Sequence, residues 1–178
     1  MHKDNLPAEL YDVPGGPPLV FGHLKSSQSK KTLLCYSHYD VQPPEPIEEW
    51  SQGGPWSGAI VDNVIYGRGA TDNKGGLLAF NKAAKAFLEV RGEVPLNLKF
   101  FYEGEEEIGS VHLGPWVEKN KELLKADGMH CLDGSVDSFA KVPEVELGLK
   151  SVLFIELTAR GGKKDIHSLN FPLVPSAP

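Results

Sequence analysis

Thr32-Leu33-Leu34-Cys35-Tyr36-Ser37-His38-Tyr39-Asp40 begins as an almost unbroken apolar run and ends in a polar cluster. An apolar run without polar alternation is what a strand buried on both faces requires, and such strands belong to sheets covered by helices on each side. Outward from it the same unit recurs. Residues 96–102 form a second apolar strand, ending at Glu103-Gly104-Glu105-Glu106-Glu107, and residues 128–132 form a third, ending at Asp133. Between the first two, Gly67-Arg68-Gly69 leads into a helix expected over 73–90. There Leu77, Phe80, Ala84, Phe87 and Leu88 recur at helical spacing, while Lys82, Lys85 and Glu89 lie off that stripe. Gly92 suits the helix stop, with Pro95 just beyond. A second helix is expected over about 113–125. Strand, helix, strand, helix, strand predicts an α/β fold with parallel sheet members.

The remainder is less regular. In the first thirty residues Pro14-Gly15-Gly16-Pro17-Pro18 reads as a turn and 25–31 as a polar loop, with no strand expected. Residues 43–58, rich in Pro, Gly and Trp, read as an ordered loop, and a short strand is expected near 60–66. Two further strands are expected at 145–149 and 151–159, the latter alternating through Val152, Phe154 and Glu156.

Length and composition set the class. With 178 residues, 40% hydrophobic and 24% charged, the chain suits a domain with its own core and does not suit disorder. A net charge of −6 makes nucleic acid and anionic membrane surfaces poor partners. No apolar run approaches the roughly 20 residues that span a bilayer, and Met1-His2-Lys3-Asp4-Asn5 lacks the apolar stretch of a secretory signal. A soluble, cytoplasmic protein is therefore expected. Cys35 and Cys131 each sit in an apolar run and read as buried thiols rather than a disulfide.

Four polar clusters each follow an expected strand: Ser37-His38-Tyr39-Asp40, Thr71-Asp72-Asn73-Lys74, Glu103 to Glu107, and Asp133. In open α/β sheets ligands bind beyond the carboxyl ends of the strands, which is where these clusters fall. His38 and Asp40 are two apart in extended chain, so their side chains point the same way. Asp40 is then either the carboxylate that holds the second nitrogen of a metal-binding histidine, or an ordinary turn aspartate. Asp72 precedes the long helix, as an N-cap does, yet a carboxylate there can also bridge two cations. The glycines of Gly67-Arg68-Gly69 and Gly75-Gly76 permit close backbone approach; no Gly-Lys-Ser/Thr ending marks a phosphate loop. The run Glu103 to Glu107 is either a solvated acidic face or a set of carboxylates whose repulsion a divalent cation relieves. In the second case one glutamate binds the cation and a neighbour accepts a proton from water. Asp133 is a turn residue or a further ligand. His2, His23 and His112 are expected exposed and structural, and His130 a strand residue or spare ligand. One histidine with several carboxylates suits a hard or borderline divalent cation, and the chain has no CxxC for thiolate-bound zinc. Without a Gly-x-Ser-x-Gly elbow or an activated cysteine, nucleophilic hydrolysis is disfavoured.

Three blocks taken in order carry a resemblance: residues 37–43, residues 67–75 (Gly67-Arg68-Gly69-Ala70-Thr71-Asp72-Asn73-Lys74-Gly75) and residues 103–110. They resemble the signatures of the dinuclear zinc peptidases, a family of carnosinase-like dipeptidases, aminoacylases, acetylornithine and succinyl-diaminopimelate deacylases, and glutamate carboxypeptidases. Trp50 and Pro55-Trp56 fit as well, and the match extends over about residues 33–168. The resemblance implies a three-layer sheet of zinc-exopeptidase type with helices on both faces. It also implies hydrolysis of amide bonds in dipeptides or other small N-acyl amino acids. By resemblance, His38 and Asp133 are ligands of one zinc, Glu107 is a ligand of the other, and Asp72 bridges both. Glu106 is the general base that activates the water between them, and Asp40 supports the histidine site. His167, in Lys164-Asp165-Ile166-His167-Ser168, matches the histidine at the start of the lid domain that reaches substrate, and it tilts the match toward dipeptidases. The implied cofactors are two divalent ions, zinc first and manganese or cobalt as alternatives, and full-length members are implied to be homodimers.

Family members are much longer, with the catalytic domain interrupted by a lid and dimerisation domain and then resumed to supply a last histidine for the Glu107 zinc. Residues 1–150 are accordingly expected to be the N-terminal part of the catalytic domain and 151–178 the start of the lid. The ending Leu169 to Pro178 departs from the expected glycine-rich continuation and reads as a truncated end, a frameshift or an alternative ending, and the sheet is expected to be incomplete on its C-terminal side. One complete zinc site and one deficient site are then expected, with little or no hydrolysis by this polypeptide alone. The alternative function is an inactive fragment that binds metal or a full-length homologue.

Overall fold

The structure is a computed structural model; it describes Met1, residues 4–134, and isolated positions at 142, 145, 148, 153 and 155–158. The elements are β1 (Glu9–Tyr11), β2 (Leu19–Leu24), β3 (Thr32–His38), β4 (Ala59–Val61), β5 (Val64–Tyr66), α1 (Lys74–Arg91), β6 (Asn97–Glu103), α2 (Leu113–Lys119), α3 (Lys121–Leu124) and β7 (Gly128–Cys131). All lie in one compact unit, Met1–Val145.

Five strands form one sheet in the order β1-β2-β6-β3-β7. The three apolar runs expected to be parallel are so: β3 pairs in parallel with β6 on one side and β7 on the other. Two-residue alternation along them divides the core. Cys35, Phe100 and Tyr102 face one side, where Ala84 of α1 is buried with Leu77, Phe80 and Leu88 packed beside it. Leu34 and Phe101 face the other, against Trp116, with Leu113 and Val117 of α2 close by. Phe101 stacks on Trp116 with ring centroids 5.9 Å apart. The sheet is thus covered by helices on both faces, and the α/β expectation holds.

Several local expectations change. The first thirty residues are not irregular, because β1 and β2 extend the sheet antiparallel beyond β6. Leu19 and Phe21 are buried while Val20 is not, the alternation of a strand, and the prolines at 17 and 18 stop just before it, where no ladder amide is lost. The strand expected near 60–66 is a hairpin, since Asp62 and Asn63 take positive φ of 50° and 64° and turn β4 back onto β5. The second helix breaks at Asn120, whose side-chain amide donates to the Trp116 carbonyl at 2.8 Å. The buried Lys99 ammonium then donates to the carbonyls of Leu123 and Lys125 at 2.6 and 2.7 Å, closing the end of α3. Gly92 ends α1 in the left-handed conformation, as expected. The strands expected at 145–149 and 151–159 fall largely outside the described residues, and the positions described there carry no strand.

The loop over 43–58 is ordered by its own polar contacts. Trp50 Nε1 donates to the Pro44 carbonyl at 2.6 Å, Arg68 donates to the Pro43 carbonyl at 3.1 Å, and the Arg68 guanidinium lies 5.1 Å above the Trp50 ring.

Candidate metal centre

His38 is the last residue of β3, in register with Glu103 of β6 and fully buried. Its Nδ1 lies 3.2 Å from both the Asp40 carboxylate and the Asp40 backbone carbonyl. Two acceptors at one nitrogen place the ring proton there. The lone pair of Nε2 then faces Asp72 Oδ1 at 3.0 Å, Asp133 Oδ2 at 3.6 Å and Glu106 Oε2 at 3.8 Å. A neutral imidazole cannot satisfy three acceptors. The arrangement calls for a positive charge between them, either a second proton on His38 or a cation.

Each carboxylate arrives by a different route. Asp72 ends the Gly-rich turn before α1, and it is not the N-cap: Asn73 occupies that place, and the Asp72 side chain is turned to His38. The Asp72–Asn73 peptide is cis. Asp133 follows β7. The two come together because α1 begins hard against the end of β7: a Cβ on Gly76 would overlap the Leu132 carbonyl oxygen and Asn73 Oδ1. Gly76→Ala is therefore expected to cost roughly 1–3 kcal/mol, as overpacking does, and to part Asp72 from Asp133; denaturant titration and metal affinity measure the two effects.

The acidic run separates into distinct tasks rather than a single repelling cluster. Glu103 is buried and accepts hydrogen bonds from the Tyr36 and Ser110 hydroxyls at 2.5 and 2.9 Å. Glu105 pairs with His112 at 2.9 Å and accepts its backbone amide. Glu106 and Glu107 sit on a short 3-10 turn, Glu106–Ile108, whose first two amides donate to the two Asp40 oxygens at 3.3 and 3.0 Å. Asp40 thus ties the histidine to the glutamate turn. Glu106 extends toward His38, whereas Glu107 is held by Gln42.

His38, Asp72 and Asp133 each offer a ligand atom, and these atoms lie within 4.8 Å of one another. One imidazole nitrogen and two carboxylates fit zinc, manganese or cobalt. Glu107 stands outside that group, and His167 lies outside the described residues. His130 is turned away, with its ring edge-on to Phe80. The expectation of exposed histidines is corrected for His23 and His112, both half-buried, His112 because Glu105 and the backbone of Gly15 and Gly16 hold it. Both cysteines are free, but only Cys35 is buried; Cys131, on the edge strand β7, is exposed, which corrects the expectation for it.

The electrostatics follow from the packing. Burial opposes a charge on His38, but Asp133, Glu106, Asp40 and Asp72 outweigh it and raise its pKa above the ordinary 6.5. Burial raises Glu106 and Asp133, with help from neighbouring carboxylates and against the pull of His38. All three groups hold protons more firmly folded than unfolded. Without metal, the carboxylate contributions fall as pH rises from about 4, and that of His38, complete below 6.5, is lost as pH climbs through its raised value. Chelator-treated protein is therefore expected to melt at a lower temperature at pH 8 than at pH 5, with zinc narrowing the difference.

Sequence reasoning did not single out Gln42, Tyr36 or Ser110 as partners of the glutamates. Gln42 lies two residues after Asp40, within residues 37–43, but nothing in the sequence tells which glutamate it meets.

Comparison with known proteins identifies the family. The family model for peptidase family M20/M25/M40 matches residues 34–162. The chain is 38% identical over 161 residues to the Cys-Gly metallodipeptidase dug1 of Schizosaccharomyces pombe, covering 88% of this chain and 33% of that protein. It is 44% identical over 156 residues to human Beta-Ala-His dipeptidase, covering 87% and 31%. Among solved structures, the M20 family metallo-carboxypeptidase Sso-CP2 from Sulfolobus solfataricus superposes with a TM-score of 0.67 at 46% identity, over 74% of this chain and 29% of that one. The chain spans about a third of the length of these curated relatives.

Proposed function

Since the chain belongs to peptidase family M20/M25/M40, we propose that its sheet-edge cluster serves metal-dependent hydrolysis of amide bonds in dipeptides or other small N-acyl amino acids. The observation that supports this most is the buried His38 Nε2 facing three carboxylates with its other nitrogen already bonded. In this proposal His38 and Asp133 would hold one divalent ion, Glu107 would help to hold a second, and Asp72 would serve both. Zinc is the first choice of metal, with manganese or cobalt as alternatives. Such ions supply Lewis acidity, which acidifies water and polarises the scissile carbonyl.

The residues do the rest. Asp40 keeps the His38 ring oriented and its Nδ1 protonated, leaving Nε2 basic. Glu106 accepts a proton from the attacking water and delivers it to the nitrogen of the leaving amine as the C–N bond breaks. Burial and neighbouring carboxylates raise its pKa, which brings it nearer to neutral pH, where a base can also return a proton. Residues 1–150 would form the N-terminal part of a catalytic domain and 151–178 the start of a lid bearing the substrate-binding His167, with homodimers for the whole protein. Among the described residues no helix is long and apolar enough to cross a membrane. A cytoplasmic location belongs to the proposal, and two free cysteines fit a reducing compartment.

The deciding experiment titrates zinc into chelator-treated chain and then assays release of amino acids from Cys-Gly, β-Ala-His and an N-succinyl amino acid. Metal binding is the expected result, and product release that a chelator abolishes would support hydrolysis by the chain itself. A chain that binds no divalent ion overturns the proposal, and one that binds metal without releasing product supports the inactive metal-binding alternative.

A further inference from the structure

Glu107 is the one carboxylate of the proposed site held by a neutral side chain. Gln42 Nε2 donates to its carboxylate at 3.0 Å and to its backbone carbonyl at 2.9 Å, while the Gln42 backbone amide donates to the other carboxylate oxygen at 3.3 Å. Both oxygens are thus engaged by one residue. Gln42 is itself fixed from behind, because the carbonyls of the next two residues, Pro43 and Pro44, accept hydrogen bonds from Arg68 and Trp50. From the other side, Asp40 grips the Glu107 amide. The three-residue segment 40–42 therefore clamps the glutamate at backbone and side chain.

An isolated, exposed hydrogen bond is worth little, about 1 kcal/mol or less. The value of three from one anchored residue lies in entropy: a glutamate side chain gives up as much as roughly 1.5–2 kcal/mol of rotamer freedom when it is fixed. Donors outside the ligand shell that remove this freedom beforehand strengthen metal binding, and losing one such partner typically weakens affinity by roughly 10–100-fold.

Building on the proposed function, we infer that Gln42 is a positioning residue that holds Glu107 ready for the second ion and takes no part in binding the first. The first ion's ligands, His38, Asp72 and Asp133, make no hydrogen bond with Gln42 in the described residues. Loss of Gln42 therefore acts on the second affinity directly and on the first only through the shared Asp72.

The test is calorimetric zinc titration of the wild-type chain, Gln42→Ala and Gln42→Met, with the thermal midpoint of each metal-free protein as a control on folding. Gln42→Met keeps the length of the side chain but removes its donor amide and adds no charge. The expected result is a tight first ion and a weaker second ion on wild type and, in both variants, a second ion bound about 10–100-fold more weakly still, with the first changed less and the metal-free midpoint preserved. Unaltered binding of both ions, or equal weakening of both, overturns the inference while leaving the proposed function in place. A wild-type chain that takes up one ion only overturns the inference together with the two-ion form of the proposed function.

Discussion

Glu106→Gln is expected to lower whatever metal-dependent dipeptide turnover the chain shows by roughly 10²–10⁴-fold, the range contributed by a positioned general base, while metal content stays as in wild type. The glutamine is isosteric and keeps the backbone amide that donates to Asp40, so the 3-10 turn and His38 remain in place. What is lost is the site that accepts the water proton and returns it to the amine. Glu106 lies 3.8 Å from His38 Nε2 and outside the cluster of converging ligand atoms, so its removal does not dismantle that cluster. Initial-rate assays with parallel metal analysis check the result. A variant with more than a tenth of wild-type turnover would remove Glu106 from the role of base.

His38→Ala is expected to act one step earlier, by abolishing tight binding of the first ion. The imidazole is the only nitrogen donor in the group, and without it Asp72, Asp133 and Glu106 face one another with no intervening positive charge. The loss should exceed the roughly 10–100-fold that accompanies removal of an outer partner. Because His38 is fully buried, a cavity also forms. His38→Asn, which fills part of that space and keeps a polar group toward Asp40, separates the two effects: it should regain stability without regaining affinity. Zinc competition against a chromophoric chelator, with thermal melts alongside, gives both numbers. Full zinc affinity in a folded His38→Ala chain would move the metal site elsewhere.

The two variants probe different properties of one cluster. The histidine and the aspartates create a place for positive charge, whereas the glutamate, partly exposed and raised in pKa, is suited to move a proton.

Patterns of period two and 3.6 were enough for the central strands, the long helix and its glycine stop, because burial on a sheet or helix face imposes those periods on any chain that makes them. The same patterns placed His38, the Asp72 turn, the glutamate run and Asp133 at the carboxyl ends of strands. They missed β1 and β2, since two prolines just before Leu19 look locally like a turn, and the strand owes its existence to its partner β6, eighty residues later. The break at Asn120 was equally hidden, as was the end of α3, where Lys99 reaches across to take the last carbonyls.

By itself, then, the sequence determined the central strands and the long helix between them, the groups that are candidates to hold a cation, and the family to which the chain belongs. Tertiary structure alone decided how those groups divide their labour. Which glutamate faces His38, which meets Gln42, and which are absorbed by Tyr36, Ser110 and His112 depends on contacts between segments far apart in the chain. Adjacent carboxylates in a run are chemically alike, and only the turn geometry after β6, fixed by Asp40, gives each a different direction.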